Sequence, residues 1–383
     1  MSQTEKQIIS QLRALVGTPS VSSTDPSWDQ GNRAVIDLLA DWLGALGFRT
    51  EIMDVSADGR KANLIATLGS GPGGLVLAGH TDTVPFDEGR WRSDPLLLTE
   101  RDQRLYGLGS TDMKGFFPIA IAAAQAFADK KLQQPLIILA TADEESSMDG
   151  ARALAAAGRP RARAAIIGEP TSLNPVRLHK GIMMEAIEIT GLAGHSSNPA
   201  LGLNAIDVMH ELVGELMQFR RELALEHANS AFDVAFPTLN LGCIHGGDSP
   251  NRICGRCELH FDLRLTPSAA AAGVREQLQQ RLQTLAQARG AGIALRSLVE
   301  PVPPFEQAAH SDLVMLAEKL TGHCASAVGF ATEAPFLQSM GMETIIMGPG
   351  SIDRAHQPDE YLELSQIRPC VDLLQSCIAH YCL

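Results

Sequence analysis

Gly74-Leu75-Val76-Leu77-Ala78-Gly79-His80-Thr81-Asp82 is the stretch from which the fold of this chain can be read. Small and apolar residues run without a polar break and then stop on a histidine and a carboxylate. A run this short and this apolar reads as a strand buried on both faces. The form recurs twice. Leu136-Ile137-Ile138-Leu139-Ala140 passes through Thr141 and Ala142 into Asp143-Glu144-Glu145, and Ala164-Ala165-Ile166-Ile167 leads into Gly168-Glu169. Open α/β sheets hold their sites outside the carboxyl ends of such strands.

Two further pieces join this set: Asp112, within Gly109-Ser110-Thr111-Asp112-Met113-Lys114-Gly115, and the late His356. Asp112 precedes a helix rather than ending a strand, and the flanking glycines let the backbone turn tightly there. Two histidines with several carboxylates and no cysteine suit zinc, cobalt or manganese. Each fragment alone is ordinary, since an Asp-Glu-Glu is most often a solvated turn and a His-x-Asp a surface pair. Their concurrence at strand ends in one chain points to a co-catalytic metal site. Glu144 and Glu145, adjacent at a strand end, point in roughly opposite directions and so take different roles. One can ligate while the other faces the reacting water.

At 383 residues the chain has room for two domains. Hydrophobic residues at 45% and charged residues at 20% describe a globular protein. A net charge of −13 speaks against nucleic acid, whose backbone needs a basic partner. Seven cysteines form an odd count without framework spacing, so free thiols are expected. Cys254 and Cys257 have the spacing of a zinc pair. Residues 252–265 alternate apolar with polar, however, and a strand there would put the two thiols on opposite faces. The amino terminus lacks a basic start followed by an apolar core, and no run reaches the ~18 apolar residues of a membrane span. A cytoplasmic protein with no membrane partner is expected.

Thr4-Glu5-Lys6-Gln7 has capping-box spacing before Ile8, Ile9, Leu12, Leu15 and Val16, which recur at helical intervals. A second amphipathic helix carries Val35, Leu38, Leu39, Trp42, Leu43 and Leu46. Strands over 48–54, 62–68, 74–79 and 136–141, with a helix over 115–129, give an α/β pattern. Past about Lys180 the order changes to strand 183–190, a helix from Asn204 to His227, strands 237–245 and 252–265, a helix opened by Pro267, and strand 293–299. That β-α-β-β-α-β order is the ferredoxin-like split. The expected architecture is therefore an α/β catalytic domain with a central mixed sheet and flanking helices, residues 1–179 and 300–383. An α+β ferredoxin-like domain, 180–299, is inserted into it.

Taken together, Leu77-Ala78-Gly79-His80-Thr81-Asp82-Thr83-Val84-Pro85-Phe86-Asp87, Tyr106-Gly107-Leu108-Gly109, Asp112-Met113-Lys114-Gly115-Phe116-Phe117, Thr141-Ala142-Asp143-Glu144-Glu145, Ile167-Gly168-Glu169-Pro170-Thr171-Ser172, Gly348-Pro349-Gly350-Ser351 and Ala355-His356-Gln357-Pro358 resemble the M20 family of zinc-dependent aminoacylases, desuccinylases and carboxypeptidases. The likeness runs over nearly the whole chain. Phe116-Phe117, where many relatives have glycine, resembles the branch that deacetylates N2-acetyl-L-ornithine on the way to arginine.

The resemblance implies two zinc ions per subunit, with cobalt able to substitute. His80 and Glu169 would hold one, Glu145 and His356 the other, and Asp112 would bridge them. Glu144 becomes the general base, and Asp82 the acceptor behind His80. His195, in the loop Gly191-Leu192-Ala193-Gly194-His195, would reach across a homodimer to steady the developing oxyanion. Asn251, Arg264 and Gly350 would hold the substrate's α-carboxylate. Arg264 also shares a strand face with Asp262 and Glu258, where a plain ion pair is an equal expectation. The implied partner is a small N-acyl amino acid. Related readings are a desuccinylase acting on N-succinyl-diaminopimelate, an aminoacylase or a dipeptidase. A binding protein that kept the fold would have no need of Glu144.

Overall fold

A computed structural model describes residues 2–383. The chain forms two compact units: Met1–Arg177 with Gln307–Ser326 and Thr332–Leu383, and Leu178–Glu306 with Ala327–Ala331.

The first unit is built on a mixed sheet in the spatial order Arg49–Asp54, Ala62–Leu68, Leu136–Thr141, Leu75–His80, Ala164–Pro170, Glu343–Gly348. Leu75–His80 runs parallel to both of its neighbours, and Glu343–Gly348 runs parallel to Ala164–Pro170. Four parallel strands thus end on one edge. Ala62–Leu68 runs antiparallel to Leu136–Thr141, and Arg49–Asp54 antiparallel in turn to Ala62–Leu68. Every residue of Leu75–His80, Leu136–Thr141 and Ala164–Pro170 is buried, as their unbroken apolar runs require. Helix Phe116–Gln125 is buried on almost every side, which explains its uniformly apolar sequence Phe-Phe-Pro-Ile-Ala-Ile-Ala-Ala-Ala. The Phe116 ring lies flat against the backbone of Gly168, where a Cβ would fall 2.2 Å from the ring. Any larger residue at 168 would push this helix off the strand that carries Glu169.

Two sequence expectations about this unit are corrected. The helix expected over 115–129 ends at Gln125, where Phe127 and Ala128 donate to the carbonyls of Ala124 and Gln125 in tighter turns. The first helix, Gln3–Val16, starts earlier than expected. Its capping box is Ser2 with Glu5, the Glu5 N–H donating to Ser2 Oγ at 3.2 Å. Thr4 already lies inside the first turn.

In the second unit the sheet order is Thr238–Gly246, Arg256–Leu265, Gly181–Thr190, Gly292–Ser297, antiparallel throughout. Helices Ala205–Glu226 and Ala271–Ala288 pack against Ile187, Ile189, Leu259, Phe261 and Leu263. This is the ferredoxin-like order. Two local expectations fail. The alternating strand begins at Arg256, because the Cys254 and Gly255 carbonyls accept from Ala205 and Gly191 in a loop before the ladder. Cys254 and Cys257 are consequently not on opposite faces of a strand; both thiols are free and buried in one apolar cluster. The second helix begins at Ala271, since residues 266–269 form a turn closed by Ala269 N–H on the Thr266 carbonyl.

Candidate metal centre

His80 is the last residue of its strand and is 1% exposed. Its Nδ1 lies 3.1 Å from the Asp82 carbonyl oxygen and 3.6 Å from Asp82 Oδ1. A proton on Nδ1 donated to that carbonyl leaves the Nε2 lone pair facing inward. Nε2 stands 3.1 Å from Asp112 Oδ1 and 3.8 Å from Glu169 Oε1. The second oxygen of Asp112 lies 3.4 Å from His356 Nε2, and that nitrogen is 3.0 Å from Glu145 Oε2. Asp112 therefore sits between two histidines with one oxygen toward each.

Glu144 and Glu145 occupy a turn just past the strand Leu136–Thr141. Glu145 groups with His80 and Asp112, whereas Glu144 groups with His80 and Glu169, each set of donor atoms falling within 4.8 Å. The two neighbours share His80 but differ in their other partner, Asp112 for Glu145 and Glu169 for Glu144; they sit in a turn, where the alternation of a strand does not apply. Asp143, for which the sequence indicated no role, anchors this turn. Its Oδ1 accepts from Lys61 Nζ at 2.8 Å and from Ser22 Oγ at 2.7 Å. Its carbonyl accepts from Ser147 and Met148. Lys61 bonds Asp29 as well, and these two carboxylates outweigh burial to raise its pKa.

The electrostatics report a surplus of buried negative charge. Burial raises Glu144 and Glu169 well above the ordinary carboxyl range, and mutual repulsion with Glu145 and Glu333 adds to it. Burial and the Asp112 charge also raise Glu145. Burial opposes the His80 imidazolium, yet Asp112, Glu169, Asp82 and Glu144 override it and the shift is upward. Hydrogen bonds to Asp112 and Glu145 push His356 up to about 10. Burial would raise Asp112, but the two histidines hold it well below its usual value. A set of oxygen and imidazole donors with this excess of charge fits divalent cations, which supply the missing positive charge at short range.

Glu333 also went unnoticed in the sequence. It is 1% exposed, its Oε1 has no hydrogen-bond partner, and burial pushes its carboxyl up to about 7. In sequence it stands before Ala334-Pro335 at the head of a short helix, where an acidic residue is unremarkable.

Gly350 lies in the first unit. Its N–H is donated to Gln366 Oε1 at 2.6 Å and its carbonyl accepts from Ser172, so holding a carboxylate there would require Gln366 to let go. His195, Asn251 and Arg264 belong to the second unit. The loops of the first two residues are joined, Ser196 N–H donating to the Asn251 carbonyl, and His195 Nδ1 meets Ser197 Oγ at 2.7 Å. Arg264 pairs with Asp262 at 2.9 Å. Beside His356 a cavity of about 150 Å³ is walled by Val84, Phe86, Trp91, Leu108 and Pro358, with Asp87 and Arg90 also on its lining.

The model of peptidase family M20/M25/M40 matches residues 76–380. An acetylornithine deacetylase of Pasteurella multocida is 50% identical over 369 residues, covering 96% of each chain. Another, of Edwardsiella ictaluri, is 50% identical over 374 residues, 98% of this chain and 97% of that one. Among solved structures, an M20 family metallo-carboxypeptidase from Sulfolobus solfataricus superposes with a TM-score of 0.74 at 18% identity, covering 99% of each chain. A dinuclear metal-binding M20 peptidase from Bacillus subtilis gives a TM-score of 0.70 at 14% identity, covering 98% of each. At those identities the structural likeness speaks for the fold alone.

Proposed function

This chain belongs to the peptidase M20/M25/M40 family, and we propose that it removes the acetyl group from N2-acetyl-L-ornithine, giving L-ornithine and acetate. The observation that carries the substrate is 50% identity, across almost the full length, to relatives bearing the name acetylornithine deacetylase. The chemistry rests on the buried cluster around Asp112.

His80 and Glu169 would hold one divalent cation, Glu145 and His356 the other, with Asp112 between them; zinc is the proposed metal and cobalt a substitute. Bound there, the ions supply Lewis acidity, polarising the amide carbonyl and making water more acidic. The rest falls to the chain. Glu144 accepts the proton of the attacking water and hands it to the leaving amine. Asp82 keeps the His80 ring in one tautomer. His195 of a partner protomer in a homodimer steadies the oxyanion, with the second unit as dimerisation and lid domain. Asn251, Arg264 and the Gly350 loop take the α-carboxylate. The cavity beside His356 supports an ornithine-like side chain, since its apolar walls suit methylenes and Asp87 offers an ammonium its partner. No helix among the described residues is long and apolar enough to cross a membrane, and the proposed location is the cytoplasm.

A second reading is favoured by Arg90, which lines the same cavity. A guanidinium there could meet the extra carboxylate of a succinylated amino acid. Measuring kcat/KM of the metal-loaded enzyme for N2-acetyl-L-ornithine and N-succinyl-diaminopimelate decides between them.

A further inference from the structure

Glu360 is 2% exposed, and both of its oxygens are spent on one loop of backbone. Oε1 accepts from the Thr111 N–H at 2.8 Å and the Asp112 N–H at 3.0 Å, while Oε2 accepts from the Gly109 N–H at 3.0 Å. Three amides converge on one point because Gly109 adopts φ +76°; a Cβ there would also strike Thr83 and Lys114. Convergent backbone N–H groups make an anion-binding concavity. Here the acceptor filling it is a side chain from the far end of the sequence. The same segment is fastened twice more, Gly107 N–H donating to the Glu360 carbonyl at 3.1 Å and Thr111 Oγ1 to the Tyr361 carbonyl at 2.5 Å.

We infer that Glu360 is a positioning residue that fixes the spacing between Asp112 and His356, and through it the affinity of the metal site they share. His356 stands four residues before Glu360 in the same loop. Holding the Asp112 amide and the His356 segment against each other determines where Asp112 Oδ2 meets His356 Nε2. The clamp needs an acceptor oxygen on both sides, Oε1 for Thr111 and Asp112 and Oε2 for Gly109. A glutamine would set an NH2 group against at least one of the three amides. The inference rests on Asp112 and His356 being metal ligands.

The test uses the full-length protein, stripped of metal and titrated with Zn²⁺ and with Co²⁺. Wild type is compared with Glu360→Gln and Glu360→Asp. Calorimetry should find one of two Zn²⁺ sites weakened about 10- to 100-fold in Glu360→Gln, the range usual when the support of a ligand is removed. The visible Co²⁺ spectrum should change at that site, and Glu360→Asp should recover part of both readouts. A purely structural role would lower the melting temperature of the metal-free protein and leave the affinities and the spectrum alone. Were Glu360→Gln not to fold, Glu360→Asp carries the comparison, its shorter reach again predicting a weakened site. Two wild-type affinities and an unchanged spectrum in the folded variants would overturn the clamp while leaving the ligand assignment intact. A wild-type chain that takes up no divalent ion would overturn both.

Discussion

Asp82 joins the two halves of the candidate site: its Oδ2 accepts the Glu145 N–H at 3.0 Å while its Oδ1 lies 3.6 Å from His80 Nδ1. Its carboxylate thus holds the backbone of one proposed ligand and lies beside the ring of another, whose Nδ1 is bonded to the Asp82 main-chain carbonyl. Asp82→Asn should therefore damage both. We expect about a 10- to 100-fold loss in Zn²⁺ affinity together with lower kcat, read by calorimetry and steady-state kinetics. An Asn variant with wild-type affinity at both sites would reduce Asp82 to a strand-end cap.

Glu144→Gln should keep both ions and lose turnover by ~10²–10⁴-fold, the usual worth of a positioned proton carrier. Glu145→Gln should lose metal as well, because its carboxylate faces His356 and Asp112. Metal analysis beside single-turnover rates separates the two. A Glu144→Gln enzyme that stays active with a half-empty site would exchange their roles.

His195→Ala should fold and bind metal yet turn over poorly, if the residue acts across a dimer. Mixing it with Glu144→Gln should then return part of the activity, since one of the two hybrid sites receives both intact residues. Proven subunit exchange without recovery would remove His195 from the partner's site.

Substrate choice should follow the cavity beside His356. N2-acetyl-L-ornithine should give the highest kcat/KM, the measure of discrimination, and N-succinyl-diaminopimelate a low one. Asp87→Asn should lower the first value more than that for an N-acetyl amino acid with a neutral side chain. A preference for the succinyl compound that vanishes in Arg90→Gln would reverse the assignment and leave the metal chemistry standing.

Chelation should cost stability as well as activity. The carboxylates of Asp112, Glu144, Glu145 and Glu169 crowd one buried site, so withdrawing the ions leaves their repulsion unopposed. The melting temperature should fall on chelation and recover with Zn²⁺, as linkage to a ligand of the native state requires. Equal melting temperatures with and without metal would mean that the cluster does not hold the ions.

The sheet and the ligand candidates were legible because their signals are local. An unbroken apolar run reports burial on both faces, and a histidine or acid at its end reports position. Asp143, Glu333 and Glu360 were illegible for the opposite reason. Asp143 takes its role from Lys61 and Ser22, and Glu360 from Gly109, Thr111 and Asp112. No window of sequence contains those pairs. Where local reading failed, tertiary bonds had moved a boundary: the Cys254 carbonyl went to Ala205 instead of a ladder, and Ser2 took the cap expected of Thr4.

The spread of the donors along the chain has a consequence for how the enzyme matures. His80, Asp112, Glu145 and Glu169 emerge early in synthesis, but strand Glu343–Gly348 and His356 come almost at its end. Until that strand docks beside Ala164–Pro170, a nascent chain offers an incomplete and strongly anionic set of donors, and such long-range pairing forms slowly. On the proposed ligand assignment, metallation would be tied to completion of the polypeptide: a ribosome that stalls before His356 would release a product lacking one ligand of the second proposed ion.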